Sequence, residues 1–261
     1  MLFLLSPAKS LDYDTPLPRG ARQRSTEPAF VPRAAELMQH LRPLGPVQVA
    51  QLMSLSDELA ALNVARYGVW TAEHHGQNSR PAVLAFNGDV YAGLDVRSLT
   101  GADLSWAQDH LVILSGLYGA LRPMDHLQPY RLEMGTRLSN ARGADLYAYW
   151  GDTVAAYLNQ RLAGERKPVV INLASQEYAR VARRPALAAR VVDCVFEDWK
   201  DGQYKLVSFF AKRARGAMAR WAVQQRARSV KALQGFDSQG YAFDKAASAP
   251  DRLVFRRRVS D

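Results

Sequence analysis

The chain has 261 residues, of which 48% are hydrophobic and 23% charged, an ordinary globular composition that argues against disorder. Its formal charge of +9 points to a polyanionic partner or to a heavily solvated basic surface. Cys194 is the only cysteine, which excludes an internal disulfide framework and a cysteine-rich metal cluster.

Leu2 to Leu5 reads as a buried first strand. The apolar "MLFLL" is cut short by Ser6-Pro7 and lacks a basic lead, so it makes a poor signal peptide, and a cytoplasmic protein is expected. No stretch approaches membrane-span length, so no membrane association is expected. Residues 12 to 33, rich in Pro, Arg, Asp and Thr, read as a long surface loop. Ala34 to Arg42 has helical spacing. Pro43-Leu44-Gly45-Pro46 interrupts it, and Val47 to Met53 can resume as helix. Ser56 with Asp57 and Glu58 forms an amino-terminal cap, with Leu59, Leu62, Val64 and Tyr67 as an apolar face.

Pro81 to Phe86 reads as a strand, and Asn87-Gly88 as a tight turn into Asp89-Val90-Tyr91. Leu111 to Leu114 is a strand entering a long irregular segment, "SGLYGALRPMDHLQPYRLEMG". Asp145 to Leu162 has helical spacing, and Val169 to Leu173 is a short buried strand. Val191 to Phe196 and Tyr204 to Phe210 read as strands joined by a turn at Asp201-Gly202. Arg213 to Leu233 is a predicted helix, and Leu253 to Arg257 a final strand. This is an α/β arrangement, an α+β mixed sheet with surrounding helices, in a single domain over residues 1–261.

Four apolar strands run into polar loops: "SPAKSLD", "NGDVYAG", "SGLYGALRP" and "NLASQEY". Sites collect where loops leave strand ends. Convergence of the four would place Lys9, Asp89, Tyr91, Ser115, Tyr118, Arg122, Asn172, Ser175 and Glu177 in one polar cleft. Each alone would be read as capping its own turn. Arg131 and Glu133 are two apart in "PYRLEMG", a spacing that points both the same way on an extended segment. In such a cleft Lys9 or Lys212 could hold charge, Asp89 or Glu177 could serve as base, and Arg122 or Arg131 could clamp an anion.

The five histidines show no metal-motif spacing, so neither a metal nor a cofactor is expected. From Lys212 to Lys231, seven Lys or Arg occur without an acid. The helix there should turn Ala217, Met218, Trp221, Ala222 and Leu233 inward. Lys212, Arg213, Arg215, Arg220, Arg226 and Lys231 are then the candidates for phosphate contacts. "LRPLGPVQVAQLM" partly resembles a helix-hairpin-helix within residues 34–67, a motif that offers backbone N–H groups near Gly45 to DNA phosphate.

Taken in order, "LLSPAKSLDY", "FNGDVYAGL", "LSGLYGALRPMDHLQPYRLEMG", "INLASQEY", "FFAKRARGAMARW" and "GFDSQGYAFD" resemble the YaaA family of peroxide-stress proteins across nearly the whole chain. The resemblance implies an unusual single-domain α/β fold, protection against hydrogen peroxide, and limitation of free iron. It also implies binding to double-stranded or branched DNA through a basic cleft and a helix-hairpin-helix. No catalytic reaction comes with it. The thin histidine and cysteine inventory makes any effect on iron indirect. The expectation is therefore binding to DNA without sequence specificity. The alternative is an enzyme acting on a small anionic or nucleotide-like substrate in the polar cleft.

Overall fold

The structure, a computed structural model, describes residues 1–258. The chain opens with β1 (Leu2–Leu5) and β2 (Ser10–Leu11), then α1 (Val31–Leu41), α2 (Pro46–Met53) and α3 (Asp57–Val69). β3 (Arg80–Pro81), α4 (Ala82–Ala85), β4 (Phe86–Asn87), α5 (Asp89–Leu94) and α6 (Gly101–His110) lead into β5 (Leu111–Ser115), β6 (Gly119–Leu121) and β7 (His126–Leu127). Then come α7 (Leu146–Trp150), α8 (Thr153–Arg161), β8 (Val169–Asn172) and α9 (Gln176–Ala182). The last elements are β9 (Arg190–Lys200), β10 (Gln203–Lys205), α10 (Ser208–Gln224), α11 (Val230–Leu233), β11 (Ala242–Phe243) and β12 (Arg252–Arg257).

One mixed sheet of eight strands organises the single domain, in the order β11-β12-β9-β8-β1-β5-β6 with β10 beside β9. Its five inner strands, β12, β9, β8, β1 and β5, run parallel; β6, β10 and β11 join antiparallel. Every residue of β1 and β5 is buried, as continuous Leu, Val and Ile runs require in a sheet covered on both faces. The chain moves from β1 to β5 on one side, then returns to β8 on the other and continues outward through β9 to β12. The direction of winding therefore reverses between β1 and β8. In open parallel sheets the crevice beyond the carboxyl ends of the strands at such a reversal takes ligands.

Two glycines bring α5 onto α10. A Cβ on Gly93 would stand 2.0 Å from the Arg213 carbonyl oxygen, and one on Gly216 would stand 1.8 Å from that of Val90. Only hydrogen fits at either contact, so the two helix backbones touch. α10 in turn lies against β9 and β1, which carries α5 to the carboxyl end of β1.

Several elements differ from the sequence reading. The 81–86 segment is mostly a helical turn, α4, and Asp89 opens α5 rather than the second arm of a hairpin. The short apolar run could not distinguish the two, because burial without clear periodicity suits either. Asp145 to Leu162 forms two helices broken at Gly151, which sits at φ 47°. The strand expected at 204–210 stops at Lys205, and α10 begins at Ser208. The long basic helix ends at Gln224, and Arg226 adopts φ 51° before α11. On α3, Ala60, Asn63 and Tyr67 are the buried side, while Leu59 and Leu62 are exposed. Of the residues expected inward on α10 and α11, Ala217, Met218, Ala222 and Leu233 are buried, and Trp221 is half-buried.

No helix among the described residues is long and apolar enough to cross a membrane. Cys194 lies in the core on β9, and burial pushes its thiol well above the ordinary range, with Asp193 adding to the effect. Thiolate, not thiol, is the reactive form. Alkylation of Cys194 in the folded protein at mildly alkaline pH should be undetectable by mass spectrometry, and complete in denaturant. Rapid labelling of the native state would show that the core opens there.

Candidate functional site

At the reversal between β1 and β8 lies a cleft of about 450 Å³. Parallel pairing sets Leu4 opposite Asn172, so the two strands end within one residue of each other. Their exits are tied together, because the Ser175 backbone N–H donates to Ser6 Oγ at 2.9 Å. The loop after β1 supplies Ser6, Lys9 and Ser10 to the wall, and the start of α9 supplies Glu177 and Tyr178. Ser175 caps α9, its Oγ accepting from the Tyr178 N–H at 3.4 Å. The start of α5 brings Asp89 and Tyr91, and α10 brings Lys212 and Arg215. The irregular segment after β6 closes the cleft with Tyr130, Arg131 and Glu133.

The floor is aromatic. Tyr91, Tyr130 and Tyr178 are each no more than 7% exposed although they line the cleft. Tyr91 donates to the Ser6 carbonyl at 3.0 Å, and the Tyr130 hydroxyl meets Ser115 Oγ at 2.7 Å. Burial raises all three phenols above their usual range, so they stay protonated. Charge sits above them. Four cations, Lys9, Arg131, Lys212 and Arg215, face three carboxylates, Asp89, Glu133 and Glu177.

Glu133 is shared between two of those cations, with Lys9 Nζ 2.9 Å from Oε2 and Arg131 Nη2 3.1 Å from Oε1. Glu177 Oε1 accepts from the Gly135 N–H at 2.9 Å. The guanidiniums are incompletely satisfied. Among the described residues only three buried side-chain nitrogen or oxygen atoms lack a hydrogen-bond partner, and two of them are Arg131 Nε and Arg215 Nε. Burial also lowers the Arg215 guanidinium below its usual range, against a weaker upward pull from Asp193. A buried N–H without an acceptor is costly unless a ligand supplies one.

Of the residues proposed from sequence for a cleft, Lys9, Asp89, Tyr91, Arg131, Glu133, Ser175 and Glu177 are brought together. Ser115, Tyr118, Arg122 and Asn172 are not. Ser115 is fully buried and holds Tyr130 and the Tyr118 N–H. The Tyr118 hydroxyl lies in the core, 2.8 Å from Trp70 Nε1 and 3.1 Å from His74 Nε2. Arg122 grips Asp125 at 3.0 Å. Asn172 ties the end of β8 to β9, donating to Asp193 Oδ1 at 2.8 Å and accepting from the Ala174 N–H at 3.0 Å. These four hold the scaffold beside the cleft rather than lining it.

The basic segment also divides. Lys212 and Arg215 line the cleft. Arg220 and Arg226, which have no acid within their own segment, meet distant ones, Asp95 at 3.5 Å and Asp103 at 2.8 Å. Both acids come from residues more than a hundred positions earlier, so the local charge run could not reveal them. Arg213 and Lys231 are exposed. Gly45 precedes α2 in a turn after α1, but its N–H already donates to Gln48 Oε1 at 2.8 Å, and Pro46 has none to offer. Tyr130 and Tyr178 were missed as lining residues. Their signal was present, since Tyr178 ends "NLASQEY" and Tyr130 stands next to Arg131 in "PYRLEMG".

A family model described as "Peroxide stress protein YaaA" matches residues 1–247. A "UPF0246 protein" from Leptothrix cholodnii is 66% identical over 261 residues, covering 100% of both chains. One from Paracidovorax citrulli is 60% identical over 258 residues, covering 99% of each. A further UPF0246 protein, from Bordetella pertussis, is 57% identical over 258 residues, again covering 99% of each.

Proposed function

This chain belongs to the peroxide stress protein YaaA family, and from that premise we propose that it serves peroxide defence by holding a phosphate-bearing ligand in the cleft between β1 and β8. The observation that carries this reading is the pair of guanidiniums, Arg131 and Arg215, which both line the cleft and whose buried Nε atoms lack partners. Arginine supplies a fork of donors matched to phosphate oxygens. Lys9 and the exposed Lys212 add point charges at the rim.

DNA is one source of that phosphate. Lys212 and Arg213 stand exposed on α10 beside the cleft, where they could neutralise a backbone without reading its sequence. Arg220 and Arg226 contribute less to this reading than sequence suggested, because their charges are already met. No residue is assigned to a role in limiting iron, which stands only as what the resemblance to the family implies. The second reading is an enzyme acting on a small anionic substrate. It is favoured by the three carboxylates that share the cleft, with Glu133 already bridging two cations.

The test is the affinity of a short duplex and of inorganic phosphate for the folded protein, measured across a salt series. Arg131→Gln and Arg215→Gln should each weaken phosphate binding by roughly tenfold to a hundredfold, the ~1.5–3 kcal/mol of a hydrogen bond to a charged group. Each lost duplex contact should also flatten the salt slope by about one unit. The Arg220→Gln, Arg226→Gln double variant should bind as the parent does. Unchanged affinity in the folded Arg131 and Arg215 variants, with loss in the double variant, would move the site to the carboxyl end of α10.

A further inference from the structure

We infer that the cleft is built for one unstacked nucleotide, with its base and sugar against Tyr91, Tyr130 and Tyr178 and its phosphate on Arg131 and Arg215. The inference rests on the phosphate reading above and names the ligand class for that site. Size is the first reason. About 450 Å³ falls within the roughly 300–1,000 Å³ of small-molecule sites, whereas a duplex would have to lie across the mouth.

The chemistry of the walls is the second reason. A phosphate site alone needs cations, yet three largely buried tyrosines form the floor here. The rings give the cleft an aromatic, apolar lining against which a base can pack, and two of the hydroxyls already bond to protein: Tyr91 to Ser6 and Tyr130 to Ser115. The floor is thus held in place before any ligand arrives. Pockets that receive a base drawn out of its stack combine such rings with polar groups aimed at its hydrogen-bonding edge. Asp89 supplies that element, and so does Glu177, whose Oε1 is fixed by the Gly135 N–H. A carboxylate accepts from an exocyclic amino group, as carboxylates do from cytosine in duplex readout.

The same nucleotide could come free or as an unpaired position in a strand, and the arms of the experiment separate the two. Affinities of the full-length protein are compared for adenosine monophosphate, adenosine and inorganic phosphate, for a short duplex, and for that duplex with one unpaired adenosine. The expected result is that the monophosphate binds at least about tenfold more tightly than either adenosine or phosphate. Arg215→Gln should bring the monophosphate down to the affinity of adenosine while leaving adenosine itself unchanged. Preference for the duplex carrying the unpaired adenosine assigns the source to a strand; monophosphate binding without that preference assigns it to a free nucleotide. Phosphate binding as tightly as the monophosphate would overturn the inference and leave the phosphate reading standing. Binding of the intact duplex alone, with no monophosphate binding, would overturn it in favour of simple backbone contact. No binding of any probe would overturn both.

Discussion

Gly216→Val should separate α5 from α10 and abolish ligand binding, in a protein with a clearly lowered melting temperature. The reason is a single contact. A Cβ at position 216 would stand 1.8 Å from the Val90 carbonyl oxygen and 2.8 Å from the Leu94 N–H nitrogen, both fixed backbone atoms. No rotamer relieves a clash made by Cβ itself, so one helix must move. Overpacking of this kind costs ~1–3 kcal/mol where neighbours can yield, and more where they are backbone. Both helices also line the cleft: Asp89 and Tyr91 on α5, Lys212 and Arg215 on α10. Displacement should therefore cost binding even in the fraction that stays folded. Gly164→Ala is the control, because nothing lies within 4 Å of its added Cβ. Circular dichroism melts alongside binding measure both effects. A Gly216→Val protein with parental melting and affinity would show that this crossing does not hold the site.

Glu133→Gln should tighten binding of a phosphate ligand by about tenfold, or ~1.4 kcal/mol. The carboxylate lies 2.9 Å from Lys9 Nζ and 3.1 Å from Arg131 Nη2, and it neutralises two of the four cations that face the cleft. An incoming anion must compete with it for both. Replacing the charge by an amide of similar shape keeps one acceptor for Arg131 and releases the lysine. At 23% side-chain exposure Glu133 is screened only in part, so the effect should exceed that of an ordinary surface charge. The same variant separates binding from catalysis. If Glu133 were a base in an enzymatic step, the variant would bind more tightly and turn over less. A fall in phosphate affinity, in a variant that melts like the parent, would instead mean that Glu133 positions Arg131 rather than competing with the ligand.

Much of the cleft could be read from the residues, and the part that could not follows a pattern. Strand-end loops gave Lys9, Ser175 and Glu177 because "SPAKSLD" and "NLASQEY" follow β1 and β8, whose parallel ends meet. Asp89 instead reaches the cleft at the start of α5, after a helical turn and not at the end of a main-sheet strand. Arg131 and Glu133 followed from their two-residue spacing. Ser115 and Asn172 carry the same local signature, yet one is drawn into the core by Tyr130 and the other spans to Asp193. Nothing within a few residues distinguishes a polar side chain that lines a cleft from one that ties two strands together. Charge pairing was equally hidden. Arg220 and Arg226 looked free because no acid lies near them in sequence, but tertiary packing supplies Asp95 and Asp103. The glycine crossing left no periodic signal either, since Gly93 and Gly216 lie on separate helices and matter only through their contact. Short buried segments such as Ala82–Ala85 were ambiguous for the opposite reason, with every residue apolar and no period to read.

The most direct measurement is a crystal structure of the full chain grown with a nucleoside monophosphate. The expected result is a phosphate within hydrogen-bond distance of the Arg215 and Arg131 guanidiniums, with the base against Tyr91, Tyr130 and Tyr178. A ligand bound instead at the turn before α2, near Gly45, or along Arg213 and Lys231 with the β1–β8 cleft empty, would contradict the assignment of the site.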